Sequence, residues 1–232
     1  MIIAIDGPAG SGKSSTAREV ARRLNALYID TGAMYRAVAL KAIRLGQTPD
    51  SDSFALLAGS VNVRLEPSRD GVRVFLDGED VSSAIRSEEV SSMSSRVSQR
   101  ADVRARMVSL QRSMAQEASS GGVDVVMEGR DIGTVVFPDA DCKFFVTASP
   151  EVRAKRRAKQ LLEKGEHVSE EHLLSEIRAR DKRDSTRKTS PLRQADDAVL
   201  IDTSDRTFED QVENILAQIR GNAGSSVRYK RV

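Results

Sequence analysis

The chain has 232 residues, of which 39% are hydrophobic and 30% charged, so it can bury an ordinary core as one α/β domain with insertions or as two small domains. A formal net charge of +2 does not by itself indicate a nucleic-acid partner, and no apolar run approaches the roughly 20 residues needed to cross a bilayer. The single cysteine, Cys142, excludes a disulfide within the chain, so we expect a protein of the reducing cytoplasm. From the net charge and the short apolar runs, we expect no nucleic-acid partner and no membrane partner.

The first predicted element is a strand over Ile2–Asp6, followed directly by a glycine-rich loop. Residues 7–14 read Gly-Pro-Ala-Gly-Ser-Gly-Lys-Ser, a full match to the phosphate-binding pattern G-x-x-x-x-G-K-[ST]. Glycines allow positive φ, so that successive backbone N–H groups point at phosphate oxygens, while Lys13 reaches the β- and γ-phosphates and Ser14 can ligate Mg²⁺. The loop predicts a nucleoside triphosphate site; the alternative is a glycine turn that only joins strand to helix. The predicted ATP-binding residues here are Gly7, Pro8, Ala9, Gly10, Ser11, Gly12, Lys13, Ser14 and Ser15.

The next elements alternate between helix and strand. Apolar spacing predicts a helix from Lys13 to about Leu24, a short strand over Leu27–Ile29 and a helix from Thr31 to Gly46. Such alternation is typical of α/β proteins. It predicts a doubly wound parallel sheet with helices on both faces.

From residue 61 the hydrophobic pattern changes to a period of two. Apolar residues alternate with polar ones over 61–65 and 72–76, and turn residues stand at Pro67–Gly71 and Asp77–Gly78. These features predict a small antiparallel sheet inserted into the α/β chain.

The second half of the chain returns to the α/β pattern after a serine-rich segment, Ser82–Ser98. A helix is predicted from about Asp102 to Ala118, and the continuous apolar runs Val123–Met127 and Lys143–Val146 predict strands that are covered on both faces. The later predicted elements are helices Pro150–Glu163 and Ser169–Arg187, a strand Val199–Ile201, a helix Phe208–Ile219 and a frayed basic tail over 221–232.

Polar clusters follow two of these predicted strands. Thr31 and Arg36 come after the second strand, where the carboxyl edge of a parallel sheet holds ligands, so Arg36 would suit a second phosphate. The alternative is a helix N-cap threonine and a surface arginine. Glu128, Arg130 and Asp131 follow a buried strand, and charges there are hard to explain by packing. Glu128 could position Mg²⁺ through water, Arg130 could grip phosphate, and Asp131 could accept hydrogen bonds from a base.

A third cluster lies in the stretch 151–193, which carries 13 Lys/Arg and 8 Asp/Glu. On a helix, Arg180, Asp184 and Arg187 fall on one stripe, with Asp184 in pairing distance of both arginines. The alternative is a solvated, salt-bridged face. Beside a phosphate-binding loop, such arginines are expected to close over transferring phosphates, and the cluster Arg153, Arg156 and Arg157 offers the same.

Taken together, four segments resemble the bacterial cytidylate kinases, a branch of the nucleoside monophosphate kinases. They are Asp6–Ser14, Asp30–Arg36, Glu128–Ala140 and Arg180-Asp-x-x-Asp-x-x-Arg187, and the likeness runs from Ile2 to about Ile219. The resemblance implies a five-stranded parallel core, a short lid, and an acceptor-binding region enlarged by an antiparallel sheet. It also implies transfer of the γ-phosphoryl group of ATP, as its Mg²⁺ complex, to CMP or dCMP.

Position by position, the resemblance implies roles for individual side chains. Arg36 and Arg130 would bind the acceptor phosphate, and Arg153 and Arg157 would bind ATP. The implied cytosine contacts are Thr31, Arg104, Asp131 and Arg187. The implied sugar contacts are Arg180, Asp184 and Ser95. The residues expected to act in catalysis are Lys13, Arg130, Arg180 and Arg187. Members of the family often carry Asp where Glu128 stands and Gly-Lys-Gly-Thr at the loop end, which leaves open whether Ser14 or Ser15 touches the metal.

The implied domains are a core of 1–36, 101–152 and 188–220, an acceptor-binding region of 37–100, a lid of 153–187 and a flexible tail of 221–232, in a monomer. Two other functions stay open at this point. One is a small P-loop kinase that acts on UMP, AMP or a metabolite such as shikimate. The other is a nucleotide-regulated protein that uses the basic tail, Arg228–Arg231, on nucleic acid.

Overall fold

The structure, a computed structural model, describes residues 1–51, 53–68, 71–163 and 165–229, with side chains described up to residue 222. Its strands are β1 (Ile2–Asp6), β2 (Leu27–Asp30), β3 (Val63–Ser68), β4 (Gly71–Leu76), β5 (Glu79–Asp80), β6 (Val125–Gly129), β7 (Cys142–Thr147) and β8 (Val199–Asp202). Its helices are α1 (Lys13–Leu24), α2 (Thr31–Arg44), α3 (Phe54–Ser60), α4 (Glu88–Val97), α5 (Ala101–Ser120), α6 (Pro150–Leu162), α7 (Glu170–Thr186) and α8 (Phe208–Tyr229).

Five strands form one parallel sheet in the order β2-β6-β1-β7-β8. In the register, Asp6 at the end of β1 lies opposite Gly129 of β6, and Asp30 at the end of β2 lies opposite Glu128. The carboxyl ends of the strands therefore share one edge, where the loops after β1, β2 and β6 meet. The predicted doubly wound, five-stranded parallel sheet is confirmed.

Helices cover both faces of this sheet. Ile3 and Ile5 of β1 pack in a cluster with residues of α1 and α8, whereas Ala4 packs on the other face with residues of α2 and α5. Both clusters are fully apolar, which explains why the strand sequences read as continuous apolar runs. Cys142 is buried in the first of these clusters, as expected for a core residue.

The antiparallel insertion is also present. β4 pairs with both β3 and β5, and Asp77 and Gly78 form the turn between β4 and β5 with φ of 50° and 93°. The turn predicted over Pro67–Gly71 is shorter than expected, because its first two residues belong to β3. Residues 69–70 of that turn lie outside the described part of the chain.

Two helices were not predicted. One is α3, and the other is α4, which lies inside the serine-rich segment after a short 3-10 turn at Ala84–Arg86. Ser87 begins α4 as an N-cap, accepting a hydrogen bond from the Val90 N–H at 3.3 Å. Val90 and Val97 are buried one above the other on the face of α4 turned toward α2. Tertiary packing therefore overrides the weak helix propensity of serine here.

Helices α6 and α7 make up most of the segment predicted as a lid. They pack on each other around a small apolar core of Ala154, Leu161 and Leu173. The predicted domain boundary after residue 36 falls inside α2, which is continuous. α8 continues to Tyr229, beyond the predicted end at Ile219 and through the first part of the predicted tail; residues 230–232 lie outside the described chain. Among the described residues, no helix combines the length and apolarity that a membrane crossing requires.

Candidate active site

The glycine-rich loop joins β1 to α1 at the carboxyl edge of the sheet. Gly10 and Gly12 adopt φ of 77° and 87°, in the left-handed region that favours glycine. A Cβ on Gly7 would lie 2.0 Å from the Val146 carbonyl oxygen, so only glycine fits there. α1 begins at Lys13 with no side-chain cap on its first N–H groups, so these groups could donate hydrogen bonds to an anion. The loop therefore has the geometry of a phosphate cradle.

Lys13 is buried beside this loop, with its Nζ 3.4 Å from the Pro8 carbonyl oxygen. Burial, together with the nearby charge of Arg130, lowers the pKa of Lys13 from 10.5 to about 7. Phosphate oxygens beside Nζ would favour the charged ammonium form. Lys13 is thus held where it gains most from an anionic ligand.

Glu128 stands at the end of β6 and is fully buried. Its Oε1 accepts a hydrogen bond from the Tyr28 hydroxyl at 2.8 Å, and the neighbouring Ser14 hydroxyl acts to lower the pKa of the carboxyl group. Its Oε2 has no hydrogen-bond partner among the described residues. Burial and the neighbouring Asp30 raise the pKa of Glu128. Hard oxygen donors of this kind suit Mg²⁺, so Ser14 and Glu128 fit the predicted metal site.

No group of three or more His, Cys, Asp and Glu side chains in the described chain could hold a metal ion by itself. Ser15 is exposed at the surface of α1, in contrast to Ser14, which lines the cleft.

Arg36 and Arg130 bring two cations to the same cleft. One terminal nitrogen of Arg36 donates to Asp30 Oδ2 at 3.2 Å, while its Nε is buried without a partner among the described residues. Arg130 Nε donates to Asp184 Oδ2 at 3.0 Å. Asp30, rather than Thr31, is the N-cap of α2, because its carboxylate accepts the Ala33 N–H at 2.8 Å. The alternative interpretation of this segment is therefore wrong for the cap.

Thr31 instead connects α2 to β6. Its hydroxyl donates to the Glu128 carbonyl oxygen at 2.7 Å, which ties the start of α2 to the end of β6. Thr31 is buried and lines the cleft, as predicted site residues should.

Arg104, Asp131 and Arg187 form a buried cation, anion, cation cluster. Arg104 donates from one terminal nitrogen to Asp131, and from the other to the Ser98 carbonyl oxygen at 3.2 Å. The nearest Arg187 nitrogen is 3.9 Å from the second Asp131 oxygen. Arg104 Nε and Arg187 Nη2 are buried without hydrogen-bond partners in the described chain. The cluster therefore offers one carboxylate and spare N–H groups to a polar ligand.

Tyr35 supports this cluster and was not predicted as a site residue. Its ring centroid lies 5.4 Å from the Arg104 guanidinium carbon, within cation–π distance. Tyr35 stands directly before Arg36 in the segment Asp30–Arg36, and that position was the signal available in the sequence.

Arg180 and Asp184 lie on the face of α7 that closes the cleft. Asp184 is 6% exposed and Arg187 8%, so the alternative of a solvated, salt-bridged face is wrong. The predicted pairing is also corrected, because Asp184 binds Arg130 of another element instead of its own helical neighbours. Burial alone would raise the pKa of Asp184, but the surrounding arginines outweigh it and lower that pKa. Burial and the charge of Arg130 lower the pKa of Arg180 to about 10.

Ser95 lines the same cleft from α4. Its hydroxyl oxygen is buried with no partner among the described residues. Ser91, Ser94 and Ser98 also line the cleft, so α4 presents a row of small polar side chains. The cleft thus gathers every predicted acceptor-side residue around one space.

The three arginines of α6 differ from one another. Arg153 is 3% exposed and is bonded to Asp181 and to two backbone carbonyls. Arg156 donates to the Thr203 hydroxyl at 3.0 Å and to its carbonyl oxygen at 2.6 Å. Arg157 is partly exposed and lies 3.8 Å from Glu88 of α4. Only Arg157 of the three retains the freedom expected of a group that reaches for phosphate.

Asp6, at the end of β1, is a further residue that the sequence did not single out. Its two carboxylate oxygens accept the Ile132 and Gly133 N–H groups, each at 2.8 Å, and so hold the turn that follows Asp131. Burial raises the pKa of Asp6 to about 7, and the two N–H groups oppose that rise.

Comparisons with known proteins show the family to which the chain belongs. A model of the cytidylate kinase family matches residues 3–221. The chain is 52% identical over 219 residues to a cytidylate kinase of Pelotomaculum thermopropionicum, covering 94% of this chain and 95% of that protein. It is 48% identical over 221 residues to a cytidylate kinase of Mycobacterium avium, with 95% of each covered. A crystal structure of a sugar kinase from Janibacter sp. HTCC2649 shares the fold with a TM-score of 0.50 at 13% identity over 94% of each chain.

Proposed function

Because the chain belongs to the cytidylate kinase family and so phosphorylates CMP with ATP, we propose that the two nucleotides meet phosphate to phosphate in the cleft described above. The donor is proposed to lie on the glycine-rich loop and the acceptor among the buried arginines. We also propose that dCMP is accepted, and that the enzyme acts as a cytoplasmic monomer without a nucleic-acid partner.

On the donor side, the proposed contacts are mostly backbone N–H groups of residues 7–15. Lys13 would hold the β- and γ-phosphates, and its charge would matter most as negative charge grows on the transferring oxygens. Arg157 is proposed to turn from Glu88 toward the same phosphates, since it is only loosely paired.

The metal is proposed to lie between the triphosphate and Ser14, with Glu128 binding one of its water ligands. Mg²⁺ supplies neutralising charge to the phosphate oxygens when it is bound. Glu128 suits this role because it lines the cleft and one of its carboxylate oxygens is unpartnered among the described residues. The Tyr28 hydrogen bond holds the other oxygen in place.

On the acceptor side, we propose that Arg36 and Arg130 bind the phosphate, and that Arg180, Asp184 and Ser95 face the sugar. Arg130 and Arg180 would then also neutralise charge on the transferring phosphoryl group, together with Arg187 of the buried cluster. No covalent intermediate on the protein is required, because an acceptor phosphate oxygen attacks the γ-phosphorus in line while the bond from the γ-phosphorus to the β,γ-bridging oxygen breaks and ADP leaves.

The single observation that carries the base assignment is the buried Arg104–Asp131–Arg187 cluster. Cytosine presents an amino donor and an unprotonated ring nitrogen acceptor, whereas uracil presents a carbonyl and a ring N–H. A carboxylate between two guanidinium groups matches cytosine and leaves unpaired groups against uracil. Such mismatches discriminate by several orders of magnitude.

The test is a coupled assay of ADP release with CMP, dCMP, UMP and AMP as acceptors. We expect CMP and dCMP to exceed UMP and AMP by about 10²-fold or more in kcat/KM. Excess EDTA should stop the reaction, because the donor is proposed to act as its Mg²⁺ complex. Equal rates with UMP and CMP would contradict the base assignment while leaving the kinase assignment in place.

A further inference from the structure

Most N–H groups of Arg153 already donate hydrogen bonds within the protein, which leaves few for a phosphate ligand. Its Nε donates to the Ala148 carbonyl oxygen at 2.9 Å, and one terminal nitrogen donates to Ala9 O at 3.1 Å and to Asp181 Oδ1 at 2.9 Å. The other terminal nitrogen donates to Asp181 Oδ2 at 2.5 Å. A guanidinium has five N–H groups, so four are engaged.

These contacts join three parts of the molecule. Ala9 belongs to the glycine-rich loop, Ala148 stands just before α6, and Asp181 lies in the middle of α7. The loop also rests on the stem of Arg153, because a Cβ on Gly10 would lie 3.4–3.8 Å from the Arg153 side-chain carbons. Arg153 therefore supports the Ala9–Gly10 segment of the loop, through the Ala9 carbonyl oxygen and through its own side-chain carbons.

Asp181 is the only carboxylate bonded to Arg153 among the described residues, and it binds in the two-pronged geometry that fixes a guanidinium plane. It also directly follows Arg180, which lines the cleft. One ion pair thus links the position of the donor loop to the position of a cleft arginine.

We infer that Asp181 is a positioning residue for the donor nucleotide, acting through Arg153 to hold the Ala9–Gly10 segment of the phosphate loop. The inference rests on the proposed function, since it places ATP on that loop. Asp181 itself touches neither nucleotide in this assignment. Arg153, in turn, is assigned to the support of the loop instead of to phosphate.

General packing of α6 on α7 does not depend on this pair. The two helices share the apolar contacts of Ala154, Leu161 and Leu173, and a second ion pair joins Glu151 to Arg178 at 2.8 Å. Both side chains of that second pair are exposed, and the hydrogen bond between them does not involve the phosphate loop. It provides a matched control, because it joins the same two helices without Arg153.

The experiment compares Asp181→Asn and Asp181→Ala with Glu151→Gln. Loss of the carboxylate leaves a buried guanidinium short of partners, so it should shift and release Ala9. We expect KM for ATP to rise about tenfold in both Asp181 variants, with KM for CMP changed by less than about twofold. Glu151→Gln should change neither. Calorimetric titration with ATP alone should show the same loss of affinity.

A double-mutant cycle separates positioning from a structural effect. In an Arg153→Met background, Asp181→Asn should add less than about twofold to KM for ATP, because its effect passes through Arg153. The near-isosteric Asn variant decides the matter if the Ala variant melts early. An equal rise in both KM values, an unchanged KM for ATP or full additivity would overturn the inference. Failure of the wild type to phosphorylate CMP would instead overturn the proposed function, and ATP titration would still judge Asp181.

Discussion

The two sides of the cleft hold their arginines in opposite ways. On the acceptor side, four arginines each carry a buried N–H group with no hydrogen-bond partner among the described residues; they are Arg36, Arg104, Arg180 and Arg187. On the donor side, Arg153 and Arg156 are bonded to carboxylate, hydroxyl or carbonyl oxygens at 2.5–3.1 Å. The arginines on the proposed CMP side therefore have too few oxygen partners for their N–H groups, whereas Arg153 and Arg156 on the proposed ATP side do not.

This difference suggests how the enzyme divides recognition between its substrates. Buried cations without enough partners cost free energy, so an acceptor that supplies a phosphate and a matching base relieves that cost. The donor side is proposed to bind phosphate through backbone N–H groups and one lysine, which do not distinguish one base from another. We expect strict selection of the acceptor and looser selection of the donor base. The following predictions test that contrast, from the largest effect to the smallest.

Replacing Lys13 should have the largest effect, because both sides of the cleft converge on its charge. Lys13→Met should lower kcat by about 10³-fold or more, since the lost ammonium stabilises charge that grows in the transition state. Single-turnover assays measure this loss, and circular dichroism checks that the fold is kept. Lys155→Met, an exposed lysine on α6, serves as the control. Wild-type turnover in Lys13→Met would contradict the loop assignment.

Removing Asp131 should affect the acceptor side alone. Asp131→Ala should lower kcat/KM for CMP by about 10²-fold and for UMP by less than about tenfold, because only cytosine is proposed to donate to this carboxylate. KM for ATP should stay within about twofold of the wild type. Asp196→Ala, which removes an exposed carboxylate, should change none of these values. An equal loss for CMP and UMP would mean that Asp131 only holds Arg104.

Arg157 offers a smaller effect on the donor side. Arg157→Ala should lower kcat about tenfold, the size expected for one partly exposed cation on a transferring phosphate. Acceptor selectivity, measured as the CMP to UMP ratio of kcat/KM, should not change. Lys155→Ala on the same helix is the matched control. An altered selectivity ratio would show that the two sides are not separate.

The smallest expected effect is the uptake of a fraction of one proton by Lys13 when ATP binds. Because burial and Arg130 hold the pKa of Lys13 near 7, the side chain is largely neutral above that pH until phosphate oxygens raise its pKa again. ATP binding at pH 7.5 should therefore take up a fraction of a proton, and ATP affinity should fall as pH rises above about 7. Calorimetry in Tris and in HEPES, whose ionisation enthalpies differ, measures the uptake. Lys13→Arg should abolish it, because arginine stays charged.

The sequence was sufficient for elements whose signals are local. The glycine pattern of residues 7–14 and the apolar runs of β1, β6 and β7 predicted the central sheet within about two residues. The turn at Asp77–Gly78 predicted one hairpin, because positive φ at both positions favours those residue types. α4 was not predicted because serine has a weak helix propensity, and this helix is stabilised by packing of its apolar residues on the rest of the protein.

What the sequence determined by itself is the chemistry of the cleft: a phosphate loop, acidic residues and arginines at spacings that resemble one family. What only the tertiary structure decided is which of these charges meet. Asp184 pairs with Arg130, 54 residues away, and Arg153, which was expected to bind ATP, is bonded to Asp181 and to the phosphate loop. Charged side chains are long, and their partners lie on elements that neighbouring sequence does not specify. Pairing therefore depends on how the helices pack over the sheet edge, which spacing along one helix cannot reveal.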